Sequence, residues 1–311
     1  MKRVALIIEA SDVNGVSDLP GARKDIDNWQ QFLRSEMAGA WSKEEIAIMH
    51  KPRAETVVNF INQHRNNDYC MIIYTGHGAE LKHQHKSVPH VLLNENDHLV
   101  DIKYLVPKSS KGILISDACR STIDKNNSGV VATQFGALLT PALCASFGGK
   151  RITGRCFQAL LDTIKDIENI FMDSPLIDLH VMGNPVEDIT TKLLVSPLMT
   201  LLGIRKLIRN DAREKYEKKF FEALKSCRNG VTTIFSSSSG EASMDGSAGG
   251  AYLTALLCAI KEWKNANDGD IFTTYNAHEN AVKILKAYNY AQNPQYSDPI
   301  VSFPIAIKNV K

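Results

Sequence analysis

Three short apolar runs constrain this chain more than any other feature: Val4 to Ile8, Ile72 to Tyr74 and Ile113 to Ser116 carry almost no polar alternation. A strand that is apolar at successive positions needs cover on both faces, the condition of a central strand in a mainly parallel sheet. Between these runs the spacing changes to that of helices. Asp25 to Met37 sets Ile26, Trp29, Phe32 and Leu33 on one stripe, and Ala54 to His64 does the same with Val57, Val58 and Ile61. Glu45 to His50 reads as a further short strand. The amino-terminal part is therefore βαβαβ, then a loop-rich segment, then β, and crossovers of this kind place helices on both faces of one sheet.

The rhythm breaks after that. Residues 122–229 open with Gly, Ser and Asn, hold an expected helix around Phe157 to Phe171, and end in a strongly charged helix from Asp211 to Ser226. The α/β pattern resumes at Val231 to Phe235, passes through Ser236 to Glu241, and enters an apolar helix from Ala251 to Trp263. A further helix and a strand at Ile300 to Phe303 are expected to complete the sheet. The organisation expected is a region 1–121, a largely helical insertion 122–229, and a region 230–311 that finishes the same sheet.

Composition narrows the function classes. The 36 Lys and Arg stand against 34 Asp and Glu, a formal net charge of +2, so no global field draws the protein to nucleic acid or to a membrane surface. The 6 cysteines form no CxxC pair, which fits free thiols in a reducing cytoplasm. The start, MKRVALIIEA, places a basic pair before an apolar run, but Glu9 interrupts it, and the segment reads as a first strand rather than a leader. Leu193 to Ile204 contains Ser196 and Pro197 and is far shorter than the roughly 20 residues of a membrane span.

Two segments carry chemistry. Residues 74–78 read YTGHG and residues 117–121 read DACRS, and each follows an apolar strand. Reactive groups in open α/β sheets collect at the carboxyl ends of strands. A thiol nucleophile needs a neighbouring base, and His77 and Cys119 supply that pair. Gly76 and Gly78 permit a close approach of backbone to substrate, and the Gly78 amide suits an oxyanion.

These motifs resemble those of the caspase-like cysteine peptidases, family C14, and most closely the metacaspase and bacterial caspase-like branch, whose motifs look like YSGHG and DxCxSG. The resemblance extends to residues 5–8 as a first strand, to LPGARKDI at residues 19–26, and to SSGEAS at 238–243 with GGAYLTALL at 249–257. It implies the caspase-hemoglobinase fold, a mainly parallel six-stranded sheet flanked by helices on both faces, with the helical insertion between its two parts. It further implies His77 as general base, Cys119 as nucleophile, and the amides of Gly78 and Cys119 as oxyanion donors.

Specificity follows from a departure. The caspase signature has Gln-Ala-Cys, whereas this chain has Asp117 two residues before Cys119. A carboxylate there repels an acidic P1 side chain and attracts a basic one. In the metacaspase-like branch a second Asp at the start of the first helix joins it, which matches Asp25, and two carboxylates suit a guanidinium. Thr75 keeps the hydroxyl of the family's usual Ser and belongs to the same S1 pocket. The expected partners are protein or peptide substrates with Arg or Lys at P1.

The chemistry needs no cofactor and no metal. Glu95, Asp97 and Asp101 lie where some metacaspases place calcium, but they lack the alternate ligand spacing of such a loop, and a solvated loop is the plainer reading. His83, His85 and His90 have HxH spacing without cysteine partners and read as surface loop residues. Basic sites at Lys150, Arg151, Arg155, Arg205, Lys206 and Arg209 would allow control by self-cleavage, by processing or by a regulatory protein acting on the insertion. Two alternatives stand beside the peptidase: a catalytically silent scaffold or binding module of the same fold, and an unrelated flavodoxin-like enzyme. The second lacks a glycine-rich phosphate loop.

Overall fold

The computed structural model describes residues 1–13, 18–83, 86–94, 99–124, 211–266 and 269–309. The chain begins with β1 (Arg3–Ala10), α1 (Pro20–Arg34), β2 (Ile46–His50), α2 (Ala54–Gln63) and β3 (Tyr69–Gly76). It continues with β4 (Gly78–His83), β5 (Lys86–Val91), β6 (Val100–Asp101), β7 (Lys111–Asp117) and β8 (Thr122–Asp124). After residue 210 come α3 (211–226), β9 (Gly230–Phe235), β10 (Asp245–Gly246), β11 (Gly249–Gly250) and α4 (Ala251–Asn265). The last are β12 (Ile271–Thr273), α5 (Thr274–Ala287), β13 (Gln295–Tyr296) and β14 (Pro304–Ile307).

The two-residue period of a strand explains the layering. In β1, Ala5 and Ile7 enter one core while Val4, Leu6 and Ile8 enter the other. In β3, Met71 and Ile73 face the first and Cys70, Ile72 and Tyr74 the second. The first core receives Trp29, Phe32 and Leu33 of α1, Phe220 and Leu224 of α3, and the buried faces of α4 and α5. The second receives Val57 and Ile61 of α2. At about 1.5–3 kcal/mol for each fully buried large aliphatic or aromatic side chain, these two layers supply the main drive to fold.

The sheet order is β13-β9-β7-β3-β1-β2. Strands β2, β1, β3, β7 and β9 are parallel neighbours, and β13 closes the edge antiparallel to β9. A six-stranded, mainly parallel sheet with helices on both faces is the architecture expected from the sequence.

Some elements differ from expectation. The final strand of the sheet is Gln295–Tyr296 and not Ile300 to Phe303. Asp298 accepts the Ile300 amide at 3.0 Å and its carbonyl accepts the Val301 amide at 3.1 Å, so the chain turns there and leaves Ile300 70% exposed. The following β14 instead pairs antiparallel with β12 outside the main sheet. Helix α1 begins at Pro20, whose ring presets the first helical turn, rather than at Asp25. The segment expected to be loop-rich after the His motif is a second sheet, ordered β6-β5-β4-β8. His83 and His90 therefore lie on strands β4 and β5, and the His90 Nδ1 bonds the Val88 carbonyl at 2.8 Å. The expected helix around Phe157 to Phe171, His85, Glu95, Asp97 and the basic sites of the insertion lie outside the described residues.

Helix α3 is fastened to the sheet by a buried cation. The Arg3 guanidinium lies 4.4 Å from the Trp41 ring centroid and 4.6 Å from that of Phe221, and its Nε bonds Glu45 at 2.9 Å. Charge pairing and ring faces replace part of the lost hydration, while Nη1 is buried without a hydrogen-bond partner.

A second buried polar group gives a test. His278 on α5 is 4% exposed, its Nδ1 shares a proton with the Tyr252 hydroxyl at 2.8 Å, and burial pushes its pKa down to about 4. The fold thus favours the neutral ring, a contribution present above the unfolded value near 6.5 and lost as pH falls through about 4. The span amounts to about 3 kcal/mol. Denaturant unfolding at pH 7.5, 5.5 and 4.0 should show a flatter acid loss in His278→Gln than in the wild type; parallel curves would contradict the assignment.

Candidate active site

Parallel pairing sets strand ends level. In the β3–β7 register Thr75 lies opposite Asp117, so His77 and Cys119 each follow by two residues at the same carboxyl edge. Ser11 leaves β1 at that edge too, and Ser236 leaves β9. Ser236 donates its amide to the Ser116 carbonyl at 2.9 Å and so continues the ladder past the strand end.

His77 is 1% exposed and held from two sides. Its Nε2 lies 3.2 Å from the Ser11 carbonyl, so this nitrogen carries the proton there. Its own carbonyl accepts the Tyr74 hydroxyl at 2.7 Å and the Leu92 amide at 3.0 Å. Gly76, with φ +154°, lets the chain turn from β3 into this position; a Cβ there would meet the Ala10 carbonyl oxygen at 2.7 Å.

Gly78 packs against the other motif. A Cβ on it would lie 2.7 Å from the Ala118 Cβ and 2.8 Å from the Cys119 carbonyl oxygen, so only glycine allows the two loops to touch. Beyond Cys119, Arg120 clamps them: its guanidinium pairs with buried Glu80 of β4, bonds Gln295 at 2.8 Å and the Ser237 carbonyl at 3.2 Å, and lies 4.4 Å from the Phe235 ring centroid.

The Cys119 thiol rests on the main chain of Ser243. Its Sγ accepts the Ser243 amide at 3.3 Å and donates to the Ser243 carbonyl at 3.6 Å. Burial pushes its pKa up to about 11, with Asp117 and Asp245 adding to the rise and the Ser243 amide opposing it. The thiol is therefore protonated at neutral pH and needs a base to act as a nucleophile.

Asp25, Thr75 and Asp117 are brought together. Asp25 is 1% exposed and accepts the Thr75 hydroxyl at 2.8 Å and the Gly250 amide at 3.1 Å. Asp117 is buried, accepts the Ser243 hydroxyl on one oxygen, and has no partner for the other, Oδ2. The position that a Cβ on Gly250 would take lies 2.1 Å from Asp117 Oδ2 and 3.3 Å from Asp25 Oδ2, so both carboxylates converge on one glycine.

A third carboxylate, Asp245, was missed in the sequence. It lies in the β10–β11 pair opposite Gly250 and accepts the Gly21 amide at 3.1 Å, at the amino end of α1. Burial raises Asp25 well above its ordinary value, with repulsion from Asp117 next. Burial also raises Asp117, and raises Asp245 to about 6 with Asp117 contributing. The legible signal was an acid in a glycine-rich stretch just before an apolar helix. Ser243, likewise, was visible only as part of the SSGEAS match.

Residues 2–302 match the family described as caspase domain. The chain belongs to the caspase-domain family. No curated protein matches it. One solved structure similar to this caspase-domain chain is that of protein GSU0716 from Geobacter sulfurreducens, at 11% identity and a TM-score of 0.47, covering 95% of this chain and 92% of that one. Among the described residues of this family member, no helix is long and apolar enough to cross a membrane. Asp101 accepts the Lys103 amide at 2.9 Å and pairs with its ammonium at 2.7 Å.

The acid cluster costs this caspase-domain fold stability. Asp245 is charged above about pH 6 in the folded state but above about 3.8 when unfolded, so its contribution is full at low pH and lost as pH rises through about 6. Asp245→Asn, which keeps an acceptor for the Gly21 amide, should raise the melting temperature at pH 7.5, and the gap should close towards pH 4. A gap independent of pH would mean that the charge is not what burdens the site.

Proposed function

We propose that this chain is a cysteine endopeptidase that cleaves after Arg or Lys. The carrying observation is the convergence of Asp25, Asp117 and Asp245, with one buried Asp117 oxygen left unpartnered and none of the three in a salt bridge among the described residues. Buried carboxylates without a cation are unstable as charges, and a guanidinium or ammonium entering among them would relieve repulsion and restore pairing. An acidic P1 side chain would add to the repulsion. Family membership supports peptidase chemistry and protein substrates.

In this reading, His77 withdraws the Cys119 proton through its Nδ1, since Nε2 is engaged by Ser11. The sulfur attacks the scissile carbonyl, and the amides of Gly78 and Cys119 receive the oxyanion. The amine leaves with a proton from His77, and water then hydrolyses the thioester. Substrate must first displace the Ser243 main chain from the thiol, which makes the arrangement described a resting one.

The second reading, a silent scaffold of the same fold, draws on that same covered, protonated thiol. Fluorogenic peptides ending in Arg, Lys or Asp separate the two. Wild type should cleave after Arg and Lys, Cys119→Ala should cleave nothing, and Asp117→Asn should lose about ten- to a hundredfold in kcat/KM, the worth of one charge-assisted hydrogen bond. Cleavage after Asp that survives in Asp117→Asn would overturn the basic pocket. No cleavage by wild type, together with no labelling of Cys119 by an arginyl chloromethyl ketone, would leave the scaffold.

A further inference from the structure

Glu9 has no place in the chemistry above. It follows the apolar run Val4 to Ile8 near the end of β1 and is 5% exposed. An ionised carboxylate buried there costs several kcal/mol unless its oxygens are bonded. They are: Oε1 accepts the Ser11 amide at 2.7 Å and also the Ser11 hydroxyl, and Oε2 faces His50 Nδ1 at 3.1 Å. Burial raises its pKa, but the bonds from Ser11 and His50 outweigh burial and leave it below the ordinary 4.5. The His50 side chain is 63% exposed, so the inner part of this bracket is Ser11.

Ser11 is fully buried, and its carbonyl is what Nε2 of His77 meets at 3.2 Å. That carbonyl also accepts the Leu19 amide at 3.4 Å, a long bond that leaves the turn after β1 dependent on other ties. An imidazole serves as a base only when the nitrogen facing the proton is bare, and the group bonded to the opposite nitrogen decides which one that is.

We propose that Glu9 is a positioning residue for His77: its carboxylate pins Ser11 through two donors, and the Ser11 carbonyl so fixed keeps the His77 proton on Nε2 rather than on Nδ1. The inference rests on the peptidase reading for its kinetic consequence, but not for its structural one. Without the bracket the turn at Ser11 loosens, and His77 samples both tautomers and a wider range of orientations. Glutamine at position 9 retains one oxygen able to accept both Ser11 donors, so position rather than charge is what the residue supplies.

The test uses the full chain as wild type, Glu9→Gln and Glu9→Ala. Kinetics on the best peptide gives kcat and KM, and ¹⁵N NMR of histidine-labelled protein reads the His77 tautomer without any substrate. Glu9→Ala should lower kcat about ten- to a hundredfold at nearly constant KM, the scale expected for a misplaced catalytic group. Its His77 resonances should move from a pure Nε2–H form to a mixture, while Glu9→Gln stays near wild type in both. A folded Glu9→Ala with unchanged tautomer, or with kcat lowered only in proportion to lost folded protein, overturns the proposal, as does a Glu9→Gln as impaired as Glu9→Ala. Where Glu9→Ala does not fold, Glu9→Asp draws the carboxylate back from Ser11 and is read by the same criteria. If wild type cleaves no peptide the peptidase reading fails, and the NMR comparison still decides the role of Glu9.

Discussion

The level ends of parallel strands are the constraint on which this structure depends. Because β1, β3, β7 and β9 run the same way in fixed register, the chain leaves all four at one edge. Ser11, His77, Cys119 and Ser236 emerge side by side although they are distant in sequence. A one-residue slip between β3 and β7 would invert every side chain relative to its neighbour, moving Ile73 and Ile115 out of one core and breaking the level at Thr75 and Asp117. The apolar runs that build the core are thus also what aligns the chemistry.

Polar groups at that edge fall into two kinds. Glu9 and Glu80 are buried yet fully engaged, the first by Ser11 and His50, the second by Arg120, Ser87 and Ser239, and both sit below the ordinary carboxylate range. Asp25, Asp117 and Asp245 are the opposite: they lie near one another, Asp117 keeps one oxygen without a partner, and all three are raised. Satisfied carboxylates hold loops in place. Carboxylates crowded and raised in this way cost stability that the two apolar cores carry, and they are the groups on which the proposed basic specificity rests.

Much of the site was legible because its residues sit in short motifs. His77 and Cys119 stand beside glycine and alanine at strand ends, and Asp117 stands two residues from the thiol; the joint occurrence of the two motifs and their resemblance to the caspase-like family picked them out. Asp245 and Ser243 were not, because their role depends on a two-residue pairing, β10 with β11, that folds residues 243–246 onto Asp117 and Cys119. Glu9 was noticed only as a break in an apolar run. The misread edge strand has a similar cause: Ile300 to Phe303 has the composition of a strand, but Asp298 and its hydrogen bonds make a turn, and the sheet is completed by Gln295–Tyr296 instead.

Apolar periodicity determined the α/β class, the parallel core strands and the helices that cover them, since local spacing dictates which residues must leave water. The tertiary structure alone decided which polar groups meet at the edge: the Ser11 carbonyl on His77, the Ser243 main chain on the thiol, the Gly250 amide on Asp25. Such contacts join residues far apart in the chain through hydrogen bonds of specific direction. Their partners are chosen by register and loop path, which no local pattern of side chains encodes.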